Sequence, residues 1–363
     1  MGLSNLFQRA GDNSTQTTVG TINVYNGITE ERAREICKEV YTVIAKDMTQ
    51  EAIETATVRV IHFADMLLPK MASYDEKLNA FADPAFQFAL RKAQMSAACT
   101  NESSDYELLS ELLLERAKIK DDKNKQLGVV KALEIVGQIS DNALLGLSVM
   151  FVATRLKPIA DDLHQALQTY NQTYAKIIGD KNLPEGTDWM DELDILVAVR
   201  INNLGIKKSQ KYFSEIFSDQ LVSGVPKESD AYNRIKNELN LVGLPVDAIL
   251  IPHPLKPNFV KLVTNRDVDK LSLTNEINGT IITKLTDEQK NVIKDVASEL
   301  SKDESKQVDL QNAFMQEWDN YPYLKMLREW WDALQYAPTL TQVGRALANA
   351  YTRTIDPAIP KID

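Results

Sequence analysis

The sequence predicts a mainly α-helical protein: a helical body with a short N-terminal β-forming arm and a small β-hairpin unit before a helical C-terminal module. Three observations carry that expectation. Apolar residues recur at three- and four-residue spacing from Thr29 onward and again after Thr286, which places them on one face of a helix. Between them, Pro245, Pro252, Pro254 and Pro257 and then Asn278-Gly279 break the period, as short strands and turns require. The first 27 residues differ from both regions, being rich in Thr, Asn and Gln and almost uncharged from Gly11 onward.

The arm, residues 1–27, carries β-forming Val19, Ile22, Val24 and Tyr25 but too little apolar surface to bury a sheet alone. Two readings stand: a tail without fixed structure, or an uncharged edge strand that pairs with copies from other subunits. The helical domain, residues 28–243, opens at Thr29, an N-cap followed by Glu30 and Glu31. A second helix shows Ile53, Ala56, Val60, Phe63 and Leu67 and is expected to end before Pro69. Ser73 to Glu76 and Ser104 to Glu107 have capping-box spacing, and Asp83-Pro84 is a cap followed by a proline suited to the first helical position. Further helices are expected from 129 to 136, 140 to 156, 158 to 178, from Asp188 through Val199, and over 207–220 and 229–242. In the β-unit, residues 244–285, strands are expected at Ala248–Ile251 and Phe259–Thr264, and a hairpin over residues 271–283 with Asn278-Gly279 at its turn. The C-terminal module, residues 286–363, starts with the box Thr286-Asp287-Glu288-Gln289, and helices follow near 308–318, 322–335 and 339–353.

At 363 residues the chain suggests about two domains. Its net charge of −10 repels phosphate backbones and anionic membranes, which makes nucleic acid a poor default partner. Lys118, Lys120, Lys123 and Lys125 come closest to a basic patch, but Asp121 and Asp122 interleave with them, and a solvated helix end is expected there. The longest apolar stretch, Ala143 to Thr154, is too short for a bilayer span and reads as a buried helix. Two cysteines, Cys37 and Cys99, and an opening without the pattern of a signal peptide give a cytoplasmic expectation.

Catalytic signals are sparse. His62, His164 and His253 are far from one another and from both cysteines, so neither a Cys/His zinc site nor any cofactor is expected. His253, held between Pro252 and Pro254, is the most constrained of the three. Phosphate-binding glycine loops and a serine elbow are missing. A metal-dependent nuclease needs only a few carboxylates and a lysine, and Asp247, Asp267, Asp269 and Lys270, with His253, are the set to test. Asp188, Asp191, Glu192 and Asp194 are explained by the dipole of the helix they begin. Among the aromatic residues near the C-terminus, adjacent Trp330 and Trp331 point about 100° apart on a helix, so one can fill the core while the other sits at its edge or at an interface.

Several strings carry a resemblance: Asn26-Gly27-Ile28, Phe81 to Gln87, Asp141 to Leu147, Leu183-Pro184-Glu185-Gly186 and Leu327-Arg328-Glu329-Trp330-Trp331. The chain resembles, over nearly its whole length, an uncharacterised family of bacterial proteins, which supplies no activity. The helices around Ala89 to Arg116 and the segment Leu340 to Leu347 also resemble helical abortive-infection proteins of the Abi-alpha type. That second resemblance implies a role in bacterial phage defence. The expected function is therefore a non-enzymatic, self-associating sensor or effector, a homo-oligomer through its arm, that answers an unknown protein or phage-derived trigger. The alternatives are the nuclease and a membrane-acting effector built on Ala143–Leu156.

Overall fold

The computed structural model describes residues 27–46, 48–75, 77–158, 160, 162–202, 205–218, 220–263, 268–274, 282–300 and 304–361. The chain opens with α1 (Glu30–Ala45), α2 (Gln50–Tyr74), α3 (Pro84–Cys99), α4 (Ser103–Lys118), α5 (Lys123–Ile135), α6 (Asp141–Arg155), α7 (Leu163–Ile178) and α8 (Asp188–Ile195). Next come β1 (Val199–Asn202), α9 (Ser209–Ile216), β2 (Val225–Pro226), α10 (Asp230–Leu241), the single turn α11 (Val246–Ile249), β3 (Leu250–Pro252), β4 (Phe259–Leu262), β5 (Ser272–Thr274) and β6 (Ile282–Lys284). The order closes with α12 (Asp287–Leu300), α13 (Glu304–Trp318), α14 (Pro322–Ala333), β7 (Ala337–Leu340) and α15 (Gln342–Ile355). The protein is mainly helical, with a few small antiparallel strands and a helical C-terminal region.

Local chemistry accounts for most helix starts. The hydroxyls of Thr29 and Ser140 accept from the backbone N–H three residues on, at 3.2 Å in each case. Asp83 accepts from Ala85 N–H, and Pro84 takes the first turn of α3, where its missing N–H costs nothing. Thr286 and Gln289 form a reciprocal box: Gln289 N–H donates to the threonine hydroxyl and Thr286 N–H to the glutamine side chain.

Other expectations are corrected. α2 does not stop at Pro69 but runs on to Tyr74, because Leu67, Leu68 and Met71 on either side of the proline are fully buried and their burial outweighs one lost backbone bond. Ser73 lies inside α2 and donates to Lys70 O, while Asp75 accepts from Lys77 and Asn79 N–H and shapes the turn that follows. Ser104 is likewise inside α4, which starts at Ser103 without a side-chain cap. Val199 belongs to a strand, not to α8, and β1 pairs antiparallel with β7 in the register Val199↔Leu340 to Asn202↔Ala337. In the β-unit, β4 pairs with both β2 and β3, and β5 pairs with β6; the Asn278-Gly279 turn lies outside the described residues.

Two principal apolar cores form. The larger takes residues from Ala33 to Leu221 and then from Leu310 to Ile359. The smaller takes residues from Val225 to Leu300, including Ile235 and Leu239 of α10 and Ile293 and Val296 of α12. The sequence boundaries expected at 243/244 and 285/286 therefore fall inside this second core.

α15 closes the larger core against α4, α5 and α6. Two glycines permit its approach. A Cβ on Gly344 would collide with the carbonyl oxygen of Ala198, and one on Gly128 would meet Gln342 Cβ at 2.9 Å. Thr341 holds the same corner, its N–H donating to Ala198 O at 3.0 Å and its hydroxyl to Val197 O at 2.7 Å. Gly344→Ala is expected to destabilise the protein by about 3 kcal/mol, the upper end for overpacking, because the opposing atom is backbone. Urea unfolding of the variant checks this, and an unchanged midpoint would contradict it.

Candidate anion-binding cavity

Between α4, α5, α6 and α15 lies a small cavity of about 80 Å³ that opens to solvent, room for a small ion or a few water molecules rather than a drug-sized ligand. Its lining is charged. Glu111 and Glu115 come from α4, Lys125 from α5, Arg155 from the end of α6, and Arg345, Asn349 and Arg353 from α15. Helical spacing explains the grouping: Glu111 and Glu115 are four apart and Arg345, Asn349 and Arg353 are four and eight apart, so each set shares a helix face.

Both carboxylates are engaged. Arg353 Nε donates to Glu111 Oε1 at 3.0 Å, Lys70 lies 3.5 Å from its other oxygen, and Lys361 donates to Glu115 Oε2 at 3.1 Å. Glu111 is only 7% exposed. Burial pushes its carboxyl up, but the Arg353 hydrogen bond and the charges of Lys70 and Lys361 outweigh that, leaving it below the usual range. The segment after α15 is tied down by the same residues, with Arg353 Nη1 donating to Ile359 O at 2.7 Å and Asn349 to Pro360 O at 3.2 Å.

Arg155 and Arg345 are different. Neither guanidinium has a hydrogen-bond or ion-pair partner among the described residues, and the Nε of Arg345 is buried with no acceptor. Burial and then the neighbouring charge of Arg155 lower the Arg345 pKa. Two unpaired guanidiniums therefore face the cavity while its two carboxylates are held by Arg353 and Lys361. A planar guanidinium offers paired N–H donors matched to the oxygens of a phosphate or carboxylate.

An outer groove adjoins the cavity and shares Glu115, Ile119 and Lys125 with it. Lys118, Lys120, Lys123 and Lys361 also line it. The lysines read from the sequence as a solvated helix end thus occupy the end of α4 and the start of α5, where they also rim a charged hollow. Lys118 lies 4.5 Å from the centre of the Tyr74 ring. Burial, then its contact with Lys361, pull its ammonium down to about 8.

The residues singled out from sequence lie elsewhere. His253 is buried: its Nδ1 accepts from Leu255 N–H and its Nε2–H donates to Val222 O, both at 3.0 Å, so it ties two loops together as a neutral ring. Asp247 is exposed on α11, and Asp269 is an exposed partner of Lys294 at 3.0 Å. Asp267 and the side chain of Lys270 lie outside what the structure describes. Among the described residues no group of three or more His, Cys, Asp or Glu side chains is placed to hold a metal. Glu192 accepts from the N–H and hydroxyl of Ser140 and so helps to cap α6. Trp330 and Trp331 are both core residues, their indole N–H groups donating to Pro184 O and Lys207 O at 2.8 Å. Ala143 to Leu156 lies in α6 and its C-cap, with residues 143–153 buried, and no helix among the described residues is long and apolar enough to cross a membrane. Val19, Ile22, Val24 and Tyr25 lie outside the described residues.

Sequence reasoning did not find Arg155 and Arg345, and no local signal marks them. Arg155 ends the buried helix α6 and Arg345 lies in the first turn of α15, and only the docking of α15 brings them to one cavity.

Burial lowers the His253 pKa to about 4, and although its bond to Val222 opposes that shift, the lysines Lys261 and Lys256 reinforce it. A histidine depressed on folding contributes stability that is full above its unfolded pKa of about 6.5 and is lost as pH falls toward the folded value. Unfolding free energy should therefore drop between pH 6.5 and 5, by at most about 1.4 kcal/mol per pH unit, and His253→Gln should flatten that interval. Denaturant titrations of both proteins across the window check this; parallel slopes would contradict it.

A family model described as ":-like" matches residues 27–359, in keeping with the near-full-length resemblance read from the sequence. No curated protein and no solved structure matches the chain. The chain belongs, from residue 27 to residue 359, to the family of that model, and the match takes in Glu111, Arg155, Arg345 and Arg353 of the cavity.

Proposed function

We propose that this protein is a non-enzymatic sensor that binds an anionic ligand in the cavity between α4, α5, α6 and α15. The observation behind this reading is the pair Arg155 and Arg345, two guanidiniums without a carboxylate in a chain that carries ten excess negative charges. Like charges held together raise the free energy of the empty site, and an oxyanion relieves both at once. The non-enzymatic part is supported by the lining. It includes no Ser, Thr, Cys or His to act as nucleophile or base, and its two carboxylates are ion-paired acceptors.

Bacterial defence is the setting suggested by the resemblance to Abi-alpha proteins, with the anion, or a phage-derived molecule carrying it, as the trigger. The arm completes the reading as an assembly element through Val19, Ile22, Val24 and Tyr25. The nuclease reading ranks behind because His253 and Asp269 already have other bonding partners.

Calorimetric titration with inorganic phosphate at low ionic strength tests the binding. The wild-type protein should take up one phosphate, and the double variant Arg155→Gln/Arg345→Gln should bind at least about tenfold more weakly while melting no lower than wild type. Absence of binding to the wild-type chain would overturn the reading. For assembly, light scattering on a sizing column should show an oligomer that becomes monomeric when residues 1–27 are removed; equal mass per particle before and after, beyond the loss of the arm itself, would remove the arm from the account.

A further inference from the structure

The cavity and the outer groove adjoin along three shared residues, and each holds a like-charged pair of its own. Arg155 and Arg345 line only the inner part, and Lys118 and Lys361 only the outer part. Between them lie Glu115, Ile119 and Lys125, common to both. Lys118 lies against Lys361. Lys118 makes no ion pair among the described residues and rests on the Tyr74 ring, while Lys361 reaches past it to Glu115. Eight cationic side chains and four carboxylates line the whole hollow, a surplus of four positive charges.

We infer that the ligand carries two phosphate groups on one molecule, as a diphosphate ester or a nucleoside diphosphate does, one on Arg155 and Arg345 and the other on Lys118 and Lys361. This rests on the anion-binding reading proposed above. Each pair lines its own part of the hollow, so each offers a separate position for a phosphate group. A dicarboxylate would bridge them but supply only two negative charges against the surplus of four, whereas a diphosphate supplies about three near neutral pH. The chemistry at each end also fits: arginine forks hold a phosphate by paired donors in the enclosed part, and lysines act as point charges at the open mouth. Glu115 lies between the pairs and Glu111 lines the inner part, but Arg353, Lys70 and Lys361 neutralise them, so they do not repel a bridging group in full.

Pyrophosphate and inorganic phosphate are the two probes, titrated calorimetrically into the full-length chain at pH 7 and equal ionic strength. Pyrophosphate should bind at least about tenfold more tightly than phosphate. Lys118→Gln/Lys361→Gln should remove that preference, and because losing Lys361 also frees Glu115 beside the inner pair, phosphate affinity should stay within about twofold only for Lys118→Gln. Lys118→Gln alone, which breaks no ion pair, should remove most of the preference and serves if the double variant fails to fold. Equal affinity of wild type for the two anions, or a preference that survives these substitutions, would overturn the two-phosphate inference while leaving anion binding in place. Failure of wild type to bind either anion would sink both.

Discussion

The approach of α15 to the carbonyl of Ala198 at Gly344 sets where α15 lies, and with it one wall of the cavity. No side chain fits at that point, so the helix lies one Cβ closer to the chain than an ordinary residue allows. Thr341 secures the same corner by capping α15 and bonding back to residues 197 and 198. From this anchor α15 runs across α4, α5 and α6, and Leu347 and Ala348 are buried in the larger core. The charged face of α15 then has one place to go: against Glu111 and Arg155.

That placement creates an electrostatic imbalance that the protein resolves only in part. Removing one partner of a buried ion pair is costly because the other charge stays buried, and Glu111 answers this by accepting from Arg353 with two lysines nearby. Arg155 and Arg345 receive no such answer. Because the chain as a whole is acidic, a large anion meets repulsion outside the range of the cavity, and at physiological salt fields decay over about 8 Å. A small anion that enters the hollow escapes most of that repulsion. On the proposed reading, that charge distribution suits a compact anionic ligand.

Much of the fold was legible because helices announce themselves locally. Thr29, Asp83, Ser140 and the Thr286–Gln289 box each use atoms within three residues of one another, and so the sequence carries the whole interaction. Where tertiary burial decided the outcome, the sequence misled. Pro69 looks like a stop but is carried through by Leu67, Leu68 and Met71. Strand β1 is four residues long and pairs with a strand far along the chain, so its first residue, Val199, reads in the sequence as the end of the preceding helix. Trp330 and Trp331 both found acceptors in distant loops, which let both be buried.

The candidate site was illegible for the same reason in stronger form. The sequence pointed to His253 because flanking prolines make it rigid, and the structure explains that rigidity as a hydrogen-bonded clamp between two loops. The cavity is assembled from four helices whose charges mean nothing in isolation. Hydrogen exchange of the full-length chain with and without saturating pyrophosphate tests most directly whether this hollow is where a ligand binds. The account predicts slower exchange confined to the end of α4, the start of α5, the end of α6 and α15 with the segment after it. Protection confined to the β-unit, or no change anywhere, would contradict it.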